Sequence, residues 1–437
     1  LTATAAIPPG QRQVLLDLYN STNGPGWTNS TGWNGASGTE CTWHGVLCDG
    51  GDSFVYMISL DSNALSGPLP PSLSGLTGLR IFSVDSNQLT GSIPSLTGLT
   101  SLYLFGIRNN QLTGSIPSLT GLTALEQIFV SGNQLAGSIP SLTGLPALRT
   151  FSAGDNQLTG NIPSLSGLAA LRDFSAFDNQ LTGSIPSLSG LTSLWEFDAG
   201  INQLTGSIPS LSGLPSLQVF VVSSNQLTGS IPSLSGLTSL REFYVFNNQL
   251  TGSIPSLSGL TSLQVFSAGL NQLTGSMPSL SGLTSLAYLW VRNNQLSGTL
   301  PDVSGLGLVT LSLWGNSFTG DIPASYGTLS ALTTLDLRWN GLYSTSPALI
   351  SFLNSKQTGG DWQSTQTVAP SNVAATPIPP SSATDSWSPI ACTSDPGSFE
   401  VLRATTPGGP YTSAGSTVSK TITNLTVSGL SLGTTYY

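Results

Sequence analysis

The chain has 437 residues, a net charge of −9 and a mean hydropathy of +0.16, and charged residues make up 7% of it, against roughly 25% in ordinary soluble domains. Eleven scattered basic side chains, of which only Lys356 and Lys420 are lysines, cannot neutralise a phosphate backbone, so a nucleic-acid partner is excluded. No apolar run approaches the ~20 residues of a spanning helix, which excludes membrane insertion by a helix.

The first segment, residues 1–54, is rich in Trp and holds Cys41 and Cys48 seven residues apart. A local pair of this kind predicts a disulfide made in an oxidising compartment, with Cys392 left free far along the chain. The chain begins at Leu1 without Met or a charged-then-apolar leader, so a signal segment is expected to have been removed or never included. The only histidine, His44, lies between Trp43 and Gly45. With no second histidine or free thiol beside it, it makes neither a zinc site nor a Cys-His pair. No serine has a base and no carboxylate pair sits in an obvious cleft, so no catalytic site is expected.

Residues 55–345 repeat. The phrase NQLTGSIPSLSGLTSL recurs, and its first Asn falls at 63, 87, 110, 133, 156, 179, 202, 225, 248, 271, 294, 316 and 340. Nine of the twelve intervals are 23 residues, with deviations confined to the two ends, as in stacked coils with capping ends. In the coil around Asn248, Leu237, Leu240, Phe243, Val245, Leu250 and Ile254 are expected to point inward. Phe243 and Val245 alternate with Glu242, Tyr244 and Phe246, the period-2 pattern of a short strand. Asn248 is expected to turn the chain and to satisfy its amide on neighbouring backbone. From Phe82 to Phe266 eight of nine coils carry Phe five residues before the Asn, Ile128 being the exception. The next inward position is smaller (Ala153, Ala176, Ala199, Ala268), the compensation in volume that a dense interior demands.

The pattern LxxLxxLxLxxNxLxGxIPxx resembles the plant-type leucine-rich-repeat family, that of receptor-kinase ectodomains and polygalacturonase inhibitors. Trp33, Cys41, Trp43, Gly45, Val46 and Cys48 resemble that family's N-terminal cap, while residues 15–27 (LLDLYNSTNGPGW) are more similar to bacterial or protist members. The resemblance implies an α/β repeat solenoid of thirteen coils with a concave parallel β-sheet and a mostly irregular convex side. It implies a binding module whose ligand is a protein, peptide or glycan, because the fold alone does not select among these.

Past the last coil, residues 346–369 read as a cap helix and a Ser/Thr/Pro-rich linker. Ser346 is the expected N-cap, Pro347 the first helical residue, and Leu349, Ile350 and Leu353 the apolar stripe. Residues 370–437 read as short strands and resemble a fibronectin type III module, a partial all-β immunoglobulin-like sandwich. Trp387 matches the core Trp, and Leu430 with Tyr436 the tyrosine corner. Its last two strands would lie beyond Tyr437, so the chain is expected to be a fragment, the alternative being that those strands come from elsewhere.

The candidate site lies where the coils stop repeating, in the columns two, four, six and seven residues before each Asn. These collect Phe177, Trp195, Asp198, Glu242, Tyr244, Phe246, Tyr288, Trp290, Arg292, Trp314 and Trp339. Grouped aromatics on a concave sheet predict a ligand surface, with Tyr244, Phe246, Trp290 and Trp314 lining one patch. Stacked acids (Asp61 over Asp85, Asp155 over Asp178, Asp173 over Glu196) repel across ~4.8 Å. They are either eased by Arg149 and Arg172 or bridged by calcium; Asp155, Asp178, Asp173 and Glu196 are the candidate metal ligands, and no other cofactor is expected. On the flank, Thr-Gly-Ser turns place two hydroxyl files outward, such as Thr205 and Ser207. Surface recognition or adhesion at the cell surface or outside it is thus the leading expectation. A surface-layer or filament component, or ice binding through the hydroxyl files, are the alternatives.

Overall fold

The computed structural model describes residues 7–366, 371–378, 381–388, 398–407, 409–419, 421–431 and 433–437. Cys392 falls outside them. The chain divides into two compact units, 1–251 with 255–271, and 252–254 with 272–437.

The first unit opens on the helix Pro9–Ser21, which Pro9 starts with its preset φ and which buries Val14, Leu15 and Leu18. Behind it Trp27, Trp33 and Trp43 are buried, with ring centroids 4.8 and 5.1 Å apart in succession. Cys41 and Cys48 form the expected disulfide, Cα atoms 5.4 Å apart. The strand Val46–Cys48 runs antiparallel to Val55–Ser59, so the cap covers an edge that would otherwise offer unpaired backbone.

From Val55–Ser59 onward each coil adds a three-residue parallel strand, through Ile81–Ser83 and Glu196–Asp198 to Val265–Ser267. The inward set in the coil around Asn248 is as expected, every one of the six side chains being buried. Phe151, Phe174, Phe197, Phe220, Phe243 and Phe266 form a continuous stack, with successive centroids 5.3–5.6 Å apart. Each small partner position lets the rings stay parallel without overpacking.

Each repeated Asn ties the preceding coil to its own. Asn202 donates through Nδ2 to the carbonyls of Ala176 and Gly200, both 3.0 Å, and of Ala199, 3.3 Å; its Oδ1 accepts from the Leu181 N–H at 2.9 Å. Asn63, in the first coil, accepts from the cap instead, at the Asn29 N–H, 2.7 Å. The turn itself belongs to the residue before the Asn. Asn247 is left-handed at φ 55°, as are Ser86 (56°), Asp178 (48°) and Ile201 (52°) in their coils. Asn248 holds the turn that Asn247 makes.

In the second unit the strands Tyr288–Trp290, Thr310–Ser312 and Thr334–Asp336 continue the parallel pattern with Leu in place of Phe. The helix Pro347–Lys356 comes next, with the Ser346 side chain accepting from the Leu349 N–H and with Leu349 and Leu353 buried. Ile350 is half-buried. Residues 357–366 are packed cap rather than the expected linker. Trp362 is fully buried and its Nε1 donates to Asn354 Oδ1 at 2.9 Å. Gln366 occupies the ladder site of one more coil, accepting from the Leu342 N–H at 2.8 Å and donating to the Leu337 carbonyl at 3.1 Å. A Ser/Thr-rich composition hides this cap because a glutamine takes the role of the expected asparagine.

Further along, Ser371–Ile378, Ser382–Ser388 and Asn424–Ser428 form one antiparallel sheet, and Glu400–Arg403 pairs with Thr412–Ser416. Trp387 meets Phe399 edge to face at 5.2 Å, and Tyr436 Oη accepts from the Ser431 N–H at 3.1 Å. The described residues form two small antiparallel sheets here, and these do not establish the fibronectin type III module expected from the sequence.

Candidate functional site

Strand geometry turns the columns two, four and six residues before the ladder Asn away from the core, while the αL residue just before it lies at the strand's exit. In the first unit Trp195 is 39% exposed, whereas Tyr244 and Phe246 are half-buried. Phe177 lies over Gly154, where even a Cβ would come 2.4 Å from its ring; that glycine is the seat for the aromatic. In the second unit Tyr288 is exposed and stands 5.5 Å from Trp290, and Arg292 is exposed. Trp314 is half-buried under the guanidinium of Arg338, 6.0 Å from its ring centre, and Asp336 fixes that arginine at 2.7 Å. The four aromatics expected to share a patch fall into different units, Tyr244 and Phe246 in the first, Trp290 and Trp314 in the second. Trp339 does not lie in the varied strand columns. It occupies the αL position beside Asn340, at φ 54° and 52% exposed.

The acids stack as expected, but their relief differs. Asp173 and Glu196 are register partners on neighbouring strands. Burial, then the charges of Asp198, Asp173 and Glu242, push the Glu196 carboxyl above the usual range. Burial raises Asp198 too, against a hydrogen bond from the Gly200 N–H. Asp155 is raised by burial and by Asp178. Arg149 does not ease these pairs, because it reaches Glu126 at 2.6 Å. Arg172 acts on Asp173, whose carboxyl burial nonetheless raises. Asp61 is satisfied by the Ser83 hydroxyl and Asp85 by Arg108, each at 2.7 Å.

Calcium wants six to eight oxygens. Among the described residues, the one group of three ligand-type side chains within 4.8 Å is Cys41, Cys48 and Asp52, and its cysteines are already bonded to each other. Asp155, Asp178, Asp173 and Glu196 gather no such group, so these residues do not fit the ion. His44 is exposed, and its carbonyl accepts from Trp33 Nε1 at 2.8 Å, a structural part of the cap. The flank hydroxyls face outward as the alternation predicts, with Ser184 bridging Thr205 and Ser207 bridging Thr228 in parallel register.

Two side chains escape the sequence reading. Ile201 is 53% and Leu270 37% exposed, both on αL backbone. Their column holds Ser, Asn, Asp or Gly in all other coils except that of Trp339. An apolar residue in a column of turn formers is the available signal.

The architecture is that of a leucine-rich-repeat solenoid with a parallel β-sheet. Family models match as a leucine-rich-repeat N-terminal domain over residues 8–49, two leucine-rich repeats over 215–259 and one over 307–329. Stretches of the chain are similar to plant leucine-rich-repeat receptor kinases. It is 36% identical over 91 residues to the receptor-like serine/threonine-protein kinase GSO2 of Arabidopsis thaliana, covering 20% of this chain and 7% of the kinase. To the probable inactive receptor kinase RLK902 of the same plant it is 44% identical over 63 residues, 14% of this chain and 9% of that protein. Among solved structures, the plant peptide hormone receptor RGFR1 in complex with RGF2 aligns at a TM-score of 0.65 and 32% identity, over 69% of this chain and 50% of the receptor. The PEPR1–AtPEP1 structure aligns at 0.69 and 27%, over 80% and 54%. The chain thus spans about half of these receptor structures and less than a tenth of the kinases. Among the described residues no helix is long and apolar enough to cross a membrane.

Proposed function

We propose that this chain is an extracellular recognition module that binds a protein or peptide segment on its strand face. One observation carries the reading: the scaffold columns repeat almost verbatim while the strand-face columns vary and carry exposed or half-buried aromatics and acids. A scaffold can repeat, whereas a site for one ligand cannot. The relatives support the class of ligand, since the peptide hormone receptor RGFR1 is solved in complex with RGF2 and PEPR1 with AtPEP1; a glycan has no comparable support. The test is binding of display-selected peptides to the intact chain and to the variant Trp195→Ser, Tyr244→Ser, Phe246→Ser. The variant keeps its circular dichroism and loses the peptides, each anchor contributing about 1–2 kcal/mol. Full affinity in the variant removes the strand face from consideration.

A second reading rests on the flank, where exposed Thr and Ser recur once per coil in register and suit a crystalline surface such as ice. Thr182→Lys, Thr205→Lys and Thr228→Lys together would abolish ice-recrystallisation inhibition and leave peptide binding unchanged.

A further inference from the structure

The stretch Trp195–Ile201 carries four side chains whose placement is unfavourable to folding. Trp195 and Ile201 expose large apolar surface at its two ends. Ile201 does so at φ 52°, a left-handed conformation that strains a β-branched residue. Between them Glu196 and Asp198, two apart and therefore on one face, are partly buried, and among the described residues neither forms an ion pair. Elsewhere on the same faces Asp85, Glu126 and Asp336 each have an arginine. The next strand, Val219–Val221, brings no charge. The strand before adds a third acid, Asp173, beside Arg172, and Glu242 lies two strands on. At the Trp195 end a cleft of about 600 Å³ opens between Arg172, Asp173, Ser216 and Gln218. Local rules broken together, with no return to the fold, mark surface kept for contact.

We propose that Trp195–Ile201 anchors an extended partner segment that presents cationic side chains, arginine above all, between two apolar ones. This rests on the recognition reading above and names its ligand. Two guanidinium groups spaced two residues apart on an extended peptide would meet Glu196 and Asp198, and desolvated pairs of that kind are bidentate and directional. The apolar neighbours of the arginines would cover Trp195 and Ile201. The partly buried carboxylates are held above the usual range, so binding weakens as acidification protonates them.

The experiment uses the whole chain and dye-labelled nonapeptides of the pattern Leu-Ser-Arg-Ser-Arg-Ser-Leu flanked by glycines, read by fluorescence anisotropy. A matched peptide with Gln for both Arg is the control. The arginine peptide is expected to bind at least tenfold more tightly than the Gln peptide. That advantage is expected to disappear in Glu196→Gln, Asp198→Asn and to shrink between pH 7 and pH 4.5. Ile201→Gly keeps the charges, melts higher than the parent and binds at least fivefold more weakly; its higher melting point shows that it is folded. Absence of binding by the parent, equal affinity for the two peptides, or unchanged affinity in the charge variant each overturns the proposal. If Tyr244→Ser, Phe246→Ser alone abolishes binding of display-selected peptides, recognition by the strand face stands and only this anchor fails.

Discussion

Replacing Asn202 with Leu isolates what the ladder contributes. The substitution removes four hydrogen bonds, but the carbonyls it leaves are not equally deprived. Ala176 O still receives Asn179 Nδ2 at 3.3 Å, Ala199 O still receives Asn225 Nδ2 at 3.0 Å, and Gly200 O still receives the Asp178 N–H at 3.0 Å. The Leu181 N–H has no such alternative, because Asn202 Oδ1 is its acceptor. An unsatisfied buried amide costs about 1–3 kcal/mol, and the leucine side chain recovers little in a slot shaped for an amide. We expect a loss of ~1–3 kcal/mol by urea unfolding, with Leu181 showing the largest rise in amide exchange. Nearest-neighbour coupling in repeat arrays makes the local exchange reading the more direct one. Thr205→Leu, on the exposed flank three residues on, should stay within ~0.5 kcal/mol. Equal losses at the two positions, or unchanged exchange at Leu181, would refute the ladder's role.

Glu196→Gln and Asp198→Asn should stabilise the chain at pH 7. Their native pKa values lie above the ordinary ones, so the stability linked to these groups is complete below about pH 4 and is lost as pH rises through the raised values; the gain should vanish in melts at pH 4. Trp362→Ala should cost about 3–5 kcal/mol as a buried ring is removed, exposing residues 346–366 to limited proteolysis while the N-terminal helix stays protected. Thiol labelling of the denatured, unreduced chain should count one reactive cysteine, and three after reduction; a count of three before reduction would dismiss the Cys41–Cys48 pair. Phe197→Ala should cost a similar ~3–5 kcal/mol by opening the ring stack, and a loss below 1 kcal/mol would mean the stack is dispensable.

The repeat makes most of the fold legible because each coil must bury the same edge, so Phe197, Ala199 and Asn202 announce their roles by recurring. Features that occur once are harder to read. Gln366 performs the ladder's task under another name, and Trp362 stands in a stretch whose composition suggests a linker. Asparagine is the recurrent residue, so the sequence points to Asn248 for the left-handed turn, although the varied residue before it carries the strained φ. The site is legible as a set of columns and not as a geometry. Alternation places Trp195, Asp198 and Tyr244 on the strand face, but it cannot say that Arg149 serves Glu126 or that Phe177 is seated on Gly154. Nor can it divide Tyr244 and Phe246 from Trp290 and Trp314, since a regular repeat offers no sign of where compact units part. Ile201 and Leu270 are easily passed over, because an isolated apolar residue is ordinary unless it is set against its column of turn formers.

The strand-face reading is tested most directly by hydrogen–deuterium exchange on the whole chain with and without a saturating display-selected peptide. Slowed exchange confined to segments spanning 195–201 and 241–247 is the predicted footprint. Protection at Thr205–Ser207 and Thr228–Ser230, with the strand segments unchanged, would contradict it and move the contact surface to the flank.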